Sequence, residues 1–266
     1  MSLEELERPA APAAQTREAP ALSLRGVSKV YGRGAQALLA VDRLDLDVRR
    51  GEFVCLVGAS GCGKSSLLSM VSGLEPITAG AVVVEGGHRP AQMFQEAALF
   101  PWLTVRGNVE LALRLRGVPR GRRETEARDL LSTVHLADFA DKRPHELSGG
   151  MRQRVALART LAQKTPVLLM DEPFGALDAM TRDVLHDEIE RIWRERRLTV
   201  VFVTHNVREA ARLGDRIVLL SSRPGRVVEQ YAVDIDRPRR IDSPEVAALS
   251  ATITDRLRQE VRRHGS

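Results

Sequence analysis

The chain has 266 residues, 43% of them hydrophobic, and its 40 lysines and arginines against 35 aspartates and glutamates give a formal net charge of +5. Such a chain can bury the core of one large domain with a subdomain, and it holds no apolar run near the ~20 residues of a membrane-spanning helix. Its basic residues are spread out, which favours solvated helix faces or a nearby anionic membrane surface. We therefore expect no nucleic acid as a partner.

Residues 1–20 are rich in alanine, proline and glutamate, which predicts a disordered leader. They lack the apolar stretch of an export signal, so we expect a cytoplasmic protein. The two cysteines, Cys55 and Cys62, have a spacing that fits neither a zinc site nor a disulfide framework. We expect reduced thiols, with Cys62 open to oxidation while its site is empty.

A phosphate-binding motif follows the first strand-rich segment, which begins at Leu22. Residues 53–57 predict a buried parallel strand, and a G-x-x-x-x-G-K-S motif comes directly after it. Its glycines let backbone N–H groups turn toward phosphates, Lys64 can reach the outer phosphates, and Ser65 offers a hydroxyl to Mg²⁺. A glycine-rich turn with a solvated lysine is the alternative. The residues assigned to nucleotide binding here are Gly58, Ala59, Ser60, Gly61, Cys62, Gly63, Lys64, Ser65 and Ser66.

Helical periodicity marks residues 96–160 as an inserted lobe. Thr104 is predicted to cap one of its helices, and apolar residues between 127 and 134 mark another. Ser148 is a good N-cap for a third helix, and Gly149 and Gly150 free the backbone before it. This helix start is suited to an anion, although Ser-Gly-Gly by itself is an ordinary turn.

Two further buried strands are predicted at residues 167–170 and 200–204. The first delivers Asp171 and Glu172 at its C-terminal end, where ligands bind in open α/β sheets. Neighbouring strand residues face opposite sides, so these carboxylates can act together only if the chain turns there, which Pro173 favours. The second strand ends at His205. A surface acidic pair and a packed or capping histidine are the alternatives.

A hairpin and a helix are predicted in the C-terminal part. Residues 216–220 and 226–228 flank Pro224-Gly225, which is typical of a hairpin. Ser243 then opens a helix with an apolar stripe from Val246 to Val261, and we expect the stripe to pack on its own domain rather than to form a regulatory dimer. We place the main domain at residues 21–235 and a helical tail at 236–266.

The order of these motifs resembles that of the ATP-binding subunits of ABC transporters. Residues 147–150 match the LSGGQ signature of this family, with Met151 in place of the glutamine, and the similarity covers nearly all of residues 22–235. It implies the α/β fold of a P-loop NTPase, with a mainly parallel core sheet, an antiparallel β-subdomain and an inserted α-helical subdomain at about 96–160. It also implies ATP hydrolysis with ATP and Mg²⁺ as cofactors.

The resemblance assigns roles to other residues. Tyr31 matches the aromatic residue that stacks on adenine, Gln95 the glutamine that touches Mg²⁺ and the attacking water, and Asp178 the aspartate of the D-loop. His205 matches the switch histidine that contacts the γ-phosphate. Taken alone, the tyrosine would be half-buried packing, the glutamine solvated and the aspartate a helix cap.

The catalytic centre expected from the resemblance is shared between two copies of the chain. Glu172 would orient and deprotonate the attacking water, with Gln95, His205 and Lys64 completing the catalytic set. Asp171, Ser65 and Gln95 would bind Mg²⁺. The copies would join head to tail, with each ATP between the P-loop of one and Ser148, Gly149 and Gly150 of the other. The chain departs from the family at Asn206, where an aspartate commonly follows the switch histidine, and in residues 80–95, which are fewer than usual.

Residues 94–105 and 171–182 look most similar to the nitrate, sulfonate and taurine importer branch. This implies an integral membrane permease that contacts Trp102 and its neighbours, and indirectly a periplasmic or lipid-anchored substrate-binding protein. The expected location is the cytoplasmic face of the inner membrane. Packing of Trp102 within the helical lobe is the alternative, and no residue here selects among nitrate, alkanesulfonate, taurine, bicarbonate or a pyrimidine precursor.

Three other functions compete with this one. The chain could serve an importer of another small solute, act as a soluble ABC ATPase on DNA or ribosomes, or bind a nucleotide as a regulatory module without hydrolysing it. A soluble ATPase of that kind predicts a long coiled coil or two cassettes in one chain, which the sequence lacks. Glu172, Gln95 and His205 argue against a module that does not hydrolyse.

Overall fold

A computed structural model describes residues 19–264, apart from the side chains of Ala35 and His264. The predicted leader falls outside this range for residues 1–18. Within residues 19–264, no helix is both long and apolar enough to cross a membrane.

The strands are β1 (Leu22–Tyr31), β2 (Leu38–Val48), β3 (Phe53–Val57), β4 (Ala79–Val84), β5 (Ala91–Met93), β6 (Val167–Asp171), β7 (Thr199–Val203), β8 (Arg216–Leu220) and β9 (Val227–Ala232). The α-helices are α1 (Lys64–Val71), α2 (Val105–Leu115), α3 (Arg120–Thr133), α4 (Gly149–Leu161), α5 (Ala179–Arg196), α6 (Val207–Leu213) and α7 (Pro244–His264).

The core sheet has six strands in the order β5-β6-β7-β3-β8-β9. Every neighbouring pair is parallel except β8 and β9, which form an antiparallel hairpin. Alternate residues of a strand face opposite sides of a sheet, so this sheet separates two hydrophobic clusters. Phe53 and Cys55 face the cluster that holds the buried residues of α2, α4, α5 and α7. Val54 and Leu56 face the cluster formed with α1, β1 and β2.

A separate antiparallel sheet has the order β2-β1-β4. The short segment 80–95 therefore divides between two sheets, because β4 joins this one and β5 forms the edge of the core sheet. Gly80 allows the close approach of β4 to β1, since a Cβ at this residue would lie 2.4 Å from Gly26 O. The α/β fold with a mainly parallel core sheet and an antiparallel β-subdomain is thus confirmed.

Helices α2, α3 and α4 pack together between β5 and β6 in the chain order. The Thr104 hydroxyl caps α2 by accepting from Gly107 N at 3.0 Å, and Leu113 and Leu131 are fully buried where α2 and α3 contribute to the core. The limits of this helical lobe, like the division at residue 235, stay predictions.

The C-terminal helix α7 packs on the core, as expected. Val246 and Ile253 are fully buried, and Leu249 and Leu257 pack against the same cluster. Val261 differs from the prediction, because it is 44% exposed. The apolar stripe therefore covers the domain only as far as Leu257.

Candidate functional site

The P-loop connects β3 to α1. Gly63 caps α1 with a φ of 100°, and a Cβ at this position would lie 2.8 Å from Ala40 O. Only glycine fits there without strain. The first backbone N–H groups of α1 lack partners within the helix and carry its positive end. This helix start is therefore built to bind an anion such as phosphate.

Lys64 folds back onto the P-loop. Its side chain is buried, and Nζ donates hydrogen bonds to Gly58 O at 2.9 Å and to Ala59 O at 3.0 Å. An ammonium group has three donors and no acceptor, so phosphate oxygens can replace or join these carbonyls. The structure thus places the lysine at the loop predicted to hold the phosphates.

A cavity of about 290 Å³ lies beside the P-loop. Tyr31 forms part of its wall, and the Tyr31 hydroxyl lies 2.5 Å from Glu75 Oε2 and 3.0 Å from Ser66 Oγ. Burial and the hydrogen bond with Glu75 raise the pKa of Tyr31. The ring is therefore fixed at the cavity by its hydroxyl. The other lining residues are Leu38, Ala40, Ser60, Gly61, Gly63, Lys64, Ser65, Ser66, Glu172 and Arg223.

Asp171 ends β6 beside the P-loop. Burial raises the pKa of Asp171, while a hydrogen bond from Ser65 and the charge of Lys64 lower it. A carboxylate and a hydroxyl in contact are the oxygen ligands that Mg²⁺ takes, and this ion usually binds one or two protein groups together with substrate phosphates. Within the described part of the chain, no cluster of three or more His, Cys, Asp or Glu side chains forms a metal site by itself. The pair fits a metal ion held jointly with a nucleotide.

The chain turns at Glu172, directly before Pro173, which is the position where the sequence analysis required a turn. Glu172 has a φ of 43°, in the left-handed region, where a residue with a side chain costs about 1–3 kcal/mol. Its backbone N–H donates to Val203 O at 2.9 Å, which holds the turn against β7. Because of this turn, the carboxylate of Glu172 contacts His205, with Oε2 lying 2.8 Å from Nδ1, while the carboxylate of Asp171 contacts Ser65.

Gln95 approaches the Glu172 carboxylate at Gly175. A Cβ built on Gly175 would lie 3.5 Å from Gln95 Nε2 and 3.8 Å from Glu172 Oε2, so both groups border the same small space. A Cβ at Gly175 would make ordinary van der Waals contact with both groups. The structure therefore brings together Gln95, Glu172 and His205, three residues that are far apart in the sequence.

Helices α2 and α4 hold the loop that follows Gln95. Gln153 Nε2 donates to Gln95 O at 2.7 Å, and Arg159 donates to Ala98 O at 2.7 Å. Asn108 is fully buried in α2 and accepts from Phe100 N at 2.8 Å. Sequence reasoning missed Asn108 and Gln153. Asn108 has a visible signal, because it is a polar residue beside Val105 and Val109 on the apolar face of its helix.

The Ser-Gly-Gly segment lies against the D-loop of its own chain. A Cβ on Gly149 would lie 3.3 Å from Leu177 Cδ2, and one on Gly150 would lie 2.5 Å from Thr181 Cγ2. Ser148 caps α4 and Asp178 caps α5, so the predicted caps are confirmed. The described residues that line the cavity beside the P-loop do not include Ser148, Gly149, Gly150 or Asp178.

A buried network supports the backbone next to His205. Glu209 in α6 accepts a short hydrogen bond from the Thr204 hydroxyl, and its Oε1 lies 2.5 Å from His186 Nε2 in α5. His186 is fully buried. Asn206, the departure from the family pattern, accepts from Arg208 N at 3.0 Å and caps α6. Sequence reasoning missed His186 and Glu209, which meet only in the folded chain.

The environment of Cys62 differs from the expectation that this thiol is open to oxidation. The residue is 1% exposed, and burial raises the pKa of its thiol, although Lys64 lowers it. A thiol that is buried and protonated reacts slowly. The expected oxidation of Cys62 in the empty site is therefore wrong.

A larger cavity of about 550 Å³ lies next to the loop after Gln95 and is mainly apolar. Phe94, Phe100, Leu111 and Leu115 are among its lining residues. Trp102 is 68% exposed, and its ring lies 5.5 Å from that of Phe100. The tryptophan is therefore a surface residue and is not packed inside the helical lobe.

Sequence comparison identifies relatives along almost the whole chain. The profile of the ABC transporter family matches residues 41–175. An uncharacterized ABC transporter ATP-binding protein of Methanocaldococcus jannaschii is 42% identical over 246 residues, which are 90% of this chain and 92% of that protein. An aliphatic sulfonates import ATP-binding protein of Burkholderia cenocepacia is 48% identical over 241 residues, 89% of this chain and 72% of the relative. One of the same name from Mesorhizobium japonicum is 44% identical over 254 residues, 94% and 93% of the two chains.

Solved structures agree with the sequence relatives. A dimeric structure of a bacterial ABC transporter cassette superposes with a TM-score of 0.71 at 33% identity, covering 81% of this chain and all of the cassette. A dimeric post-hydrolysis state of the same cassette, bound to ADP and Pi, gives a TM-score of 0.70 at 32% identity with the same coverage. With a P-loop, two carboxylates and a histidine assembled at one edge of the core sheet, the chain belongs to the ABC transporter family and is an ATP-binding ATPase.

Proposed function

We propose that two copies of this chain bind MgATP between them and hydrolyse it to drive a separate membrane permease that imports a small anion. One observation supports the proposed dimer. The Ser-Gly-Gly segment packs on the D-loop of its own chain and does not line the cavity of the P-loop. A head-to-tail partner would bring its own copy of this segment to the cavity. The dimeric state of the related cassette supports this arrangement.

We assign the residue roles from the family resemblance together with the positions of the side chains. Tyr31 would stack on the adenine, and the P-loop with Lys64 would hold the phosphates. Ser65, Asp171 and Gln95 would bind Mg²⁺, which neutralises phosphate charge when present. Glu172 would accept a proton from the attacking water, and His205 would hold the Glu172 carboxylate through the 2.8 Å contact. Ser148, Gly149, Gly150 and Asp178 would act on the nucleotide of the partner.

The permease would dock at the apolar cavity beside the loop after Gln95. That loop is held by Gln153 and Arg159 of α4, the helix that begins with the Ser-Gly-Gly segment. Closing of the dimer on ATP would thus move the docking surface together with the signature segment. Exposed Trp102 offers apolar area for a helix of the permease. In this arrangement the chain lies on the cytoplasmic face of the inner membrane.

The substrate we favour is an aliphatic sulfonate, because relatives of 44–48% identity carry that name. Nitrate and taurine remain members of the same proposed class of small anions. A substrate-binding protein would select the anion and deliver it to the permease. Co-purification of the permease from native membranes, followed by uptake assays with each anion, tests this assignment. Uptake of a cation or a sugar instead would refute it.

The dimer can be tested on the isolated chain. Glu172→Gln should bind MgATP without hydrolysing it and should elute as a dimer in size-exclusion chromatography. A matched double variant, Glu172→Gln with Ser148→Arg, adds bulk at an exposed residue and should stay monomeric. A dimer in both variants would place the nucleotide interface elsewhere. A chain that binds ATP but releases no phosphate, alone or with its permease, would instead support a regulatory module.

A further inference from the structure

The turn between β8 and β9 lies against the P-loop. Strand β8 runs parallel to β3, with Leu219 opposite Val57, so both strands deliver their next residues to the same edge of the sheet. A Cβ on Gly58 would lie 3.2 Å from Leu220 Cβ. Residues 221–226 are therefore neighbours of the phosphate-binding motif, although more than a hundred and fifty residues separate them in the sequence.

This turn is held firmly. Gly225 N donates to Ala40 O at 2.8 Å, and a Cβ on Gly225 would lie 2.3 Å from Cys62 O. Ser221 Oγ donates to Pro224 O at 2.6 Å and accepts from Arg226 N at 2.9 Å. The turn thus contacts β2 and the P-loop, and these contacts fix the backbone from which its side chains extend.

Arg223 extends from this turn over Gly61. Its Nε donates to Gly61 O at 3.2 Å, and its Nη2 lies 3.0 Å from the position of a Gly61 Cβ. The residue lines the cavity of about 290 Å³ that Tyr31 and Lys64 also line. Of the described residues around this cavity, only Lys64 and Arg223 carry a positive charge.

The guanidinium of Arg223 has capacity for another ligand. Among the described residues it takes part in no ion pair, whereas Arg226 of the same turn is paired with Asp42 through Nε at 2.8 Å. A guanidinium has five N–H donors, and its planar fork matches phosphate oxygens. Within the described part of the chain, Lys64 is the one other cationic side chain at this cavity that could balance the charge of a triphosphate.

We propose that Arg223 is a further nucleotide-binding residue that hydrogen-bonds the phosphate tail of ATP from the β8–β9 turn. The phosphates are the favoured group because Arg223 covers Gly61 of the phosphate-binding loop, whereas Tyr31 belongs to the adenine end in the proposed function. This inference rests on that nucleotide site. Arg223 would be a second cationic side chain at the site, in addition to Lys64, and it lies outside the P-loop motif.

The test compares nucleotides of different length on the full chain. We would measure the Kd of ATP, ADP and AMP without Mg²⁺, so that hydrolysis does not interfere, for wild type, Arg223→Gln, Arg223→Lys and the matched control Arg226→Gln. Arg223→Gln should raise the Kd of ATP and of ADP by about tenfold, as expected for the loss of a charged hydrogen bond. It should raise the Kd of AMP by less than about twofold. Arg223→Lys should recover part of the loss, because it restores the charge but not the fork. Arg226→Gln should leave all three Kd values near wild type.

Three outcomes would overturn the proposal. Unchanged ATP affinity in Arg223→Gln would remove Arg223 from the site. An equal loss for AMP, accompanied by a lower Tm, would show that the side chain only braces the P-loop. Unchanged affinity with loss of the dimer in the Glu172→Gln background would show that Arg223 meets a carboxylate of the second copy instead. Failure of the proposed function would look different, because the wild-type chain would then bind no ATP or release no phosphate.

Discussion

The Nδ1 atom of His205 lies 2.8 Å from Oε2 of Glu172, and the two residues come from the ends of neighbouring strands, β7 and β6. The left-handed backbone of Glu172 directs its carboxylate toward the histidine, while the preceding Asp171 contacts Ser65. Adjacent carboxylates thereby reach different partners. In the proposed function, this divergence would let Asp171 bind a metal ion while Glu172 acts on water.

Replacing His205 should separate hydrolysis from binding. His205→Ala removes the partner of Glu172 but leaves the P-loop and Lys64 intact, so kcat for ATP should fall by about 10²-fold or more while the Kd for ATP stays within about twofold. Phosphate release and equilibrium binding measure the two effects. His145→Ala, at an exposed residue of the helical lobe, is the control and should keep normal kcat. Wild-type turnover by His205→Ala would contradict the assignment.

The two tryptophans should behave in opposite ways. Trp102 is 68% exposed and Trp193 is 9% exposed, and Trp193 contacts Phe53 and Arg237. Trp102→Ala should change the free energy of unfolding by less than about 0.5 kcal/mol and should reduce transport more than basal ATPase activity. Trp193→Ala should destabilise the chain by about 3–5 kcal/mol and lower both activities. Equal loss of transport and ATPase activity in Trp102→Ala would point to folding instead of permease contact.

Stability should depend on the protonation of Glu188. Burial raises the pKa of this carboxyl group in α5 from 4.5 to about 7, although Arg154 and Arg191 lower it. Arg154 Nε lies 2.9 Å from Glu188 Oε2, yet neither carboxylate oxygen accepts a hydrogen bond from the described residues. The folded state therefore holds a proton that the unfolded state releases. The free energy of unfolding should fall between about pH 4.5 and pH 7, at up to about 1.4 kcal/mol per pH unit, and then level off.

Glu188→Gln removes this titration and should flatten the pH dependence over that interval. Glu195→Gln changes an exposed acid of the same helix and should keep the wild-type slope. Denaturant unfolding at pH 5, 6, 7 and 8 measures the difference. If Glu188→Gln and wild type gave parallel curves, Glu188 would be ionised throughout and held by Arg154.

Both thiols should resist modification in the native chain. Cys55 is fully buried and Cys62 is 1% exposed, and burial raises the pKa of each thiol. A thiol reagent at pH 8 should therefore label neither residue at an appreciable rate without ATP, and should label both after unfolding. Rapid labelling of native Cys62 that ATP suppresses would show that the P-loop opens readily.

Much of the fold was accessible from local patterns. Strands β3 and β6, the caps Thr104 and Ser148 and the hairpin around Pro224-Gly225 all depend on residues close together in the chain. Val261 shows the limit of this reasoning. Its spacing continues the apolar stripe of α7, but the core that the stripe covers ends before it.

The amino-acid sequence by itself determined the family, the parallel core sheet and the residues that should bind phosphate and metal, because motif order and strand periodicity are local properties. Tertiary structure alone decided that the Glu172 carboxylate contacts His205 and that Cys62 is shielded. It also decided that Asn108 holds the loop after Gln95, that His186 meets Glu209 and that Arg223 lines the cavity beside the P-loop. Each of these depends on contacts between segments far apart in the chain. These contacts form because the C-terminal ends of neighbouring strands come together in the folded sheet. The order of the strands in the sheet cannot be read from any local sequence pattern.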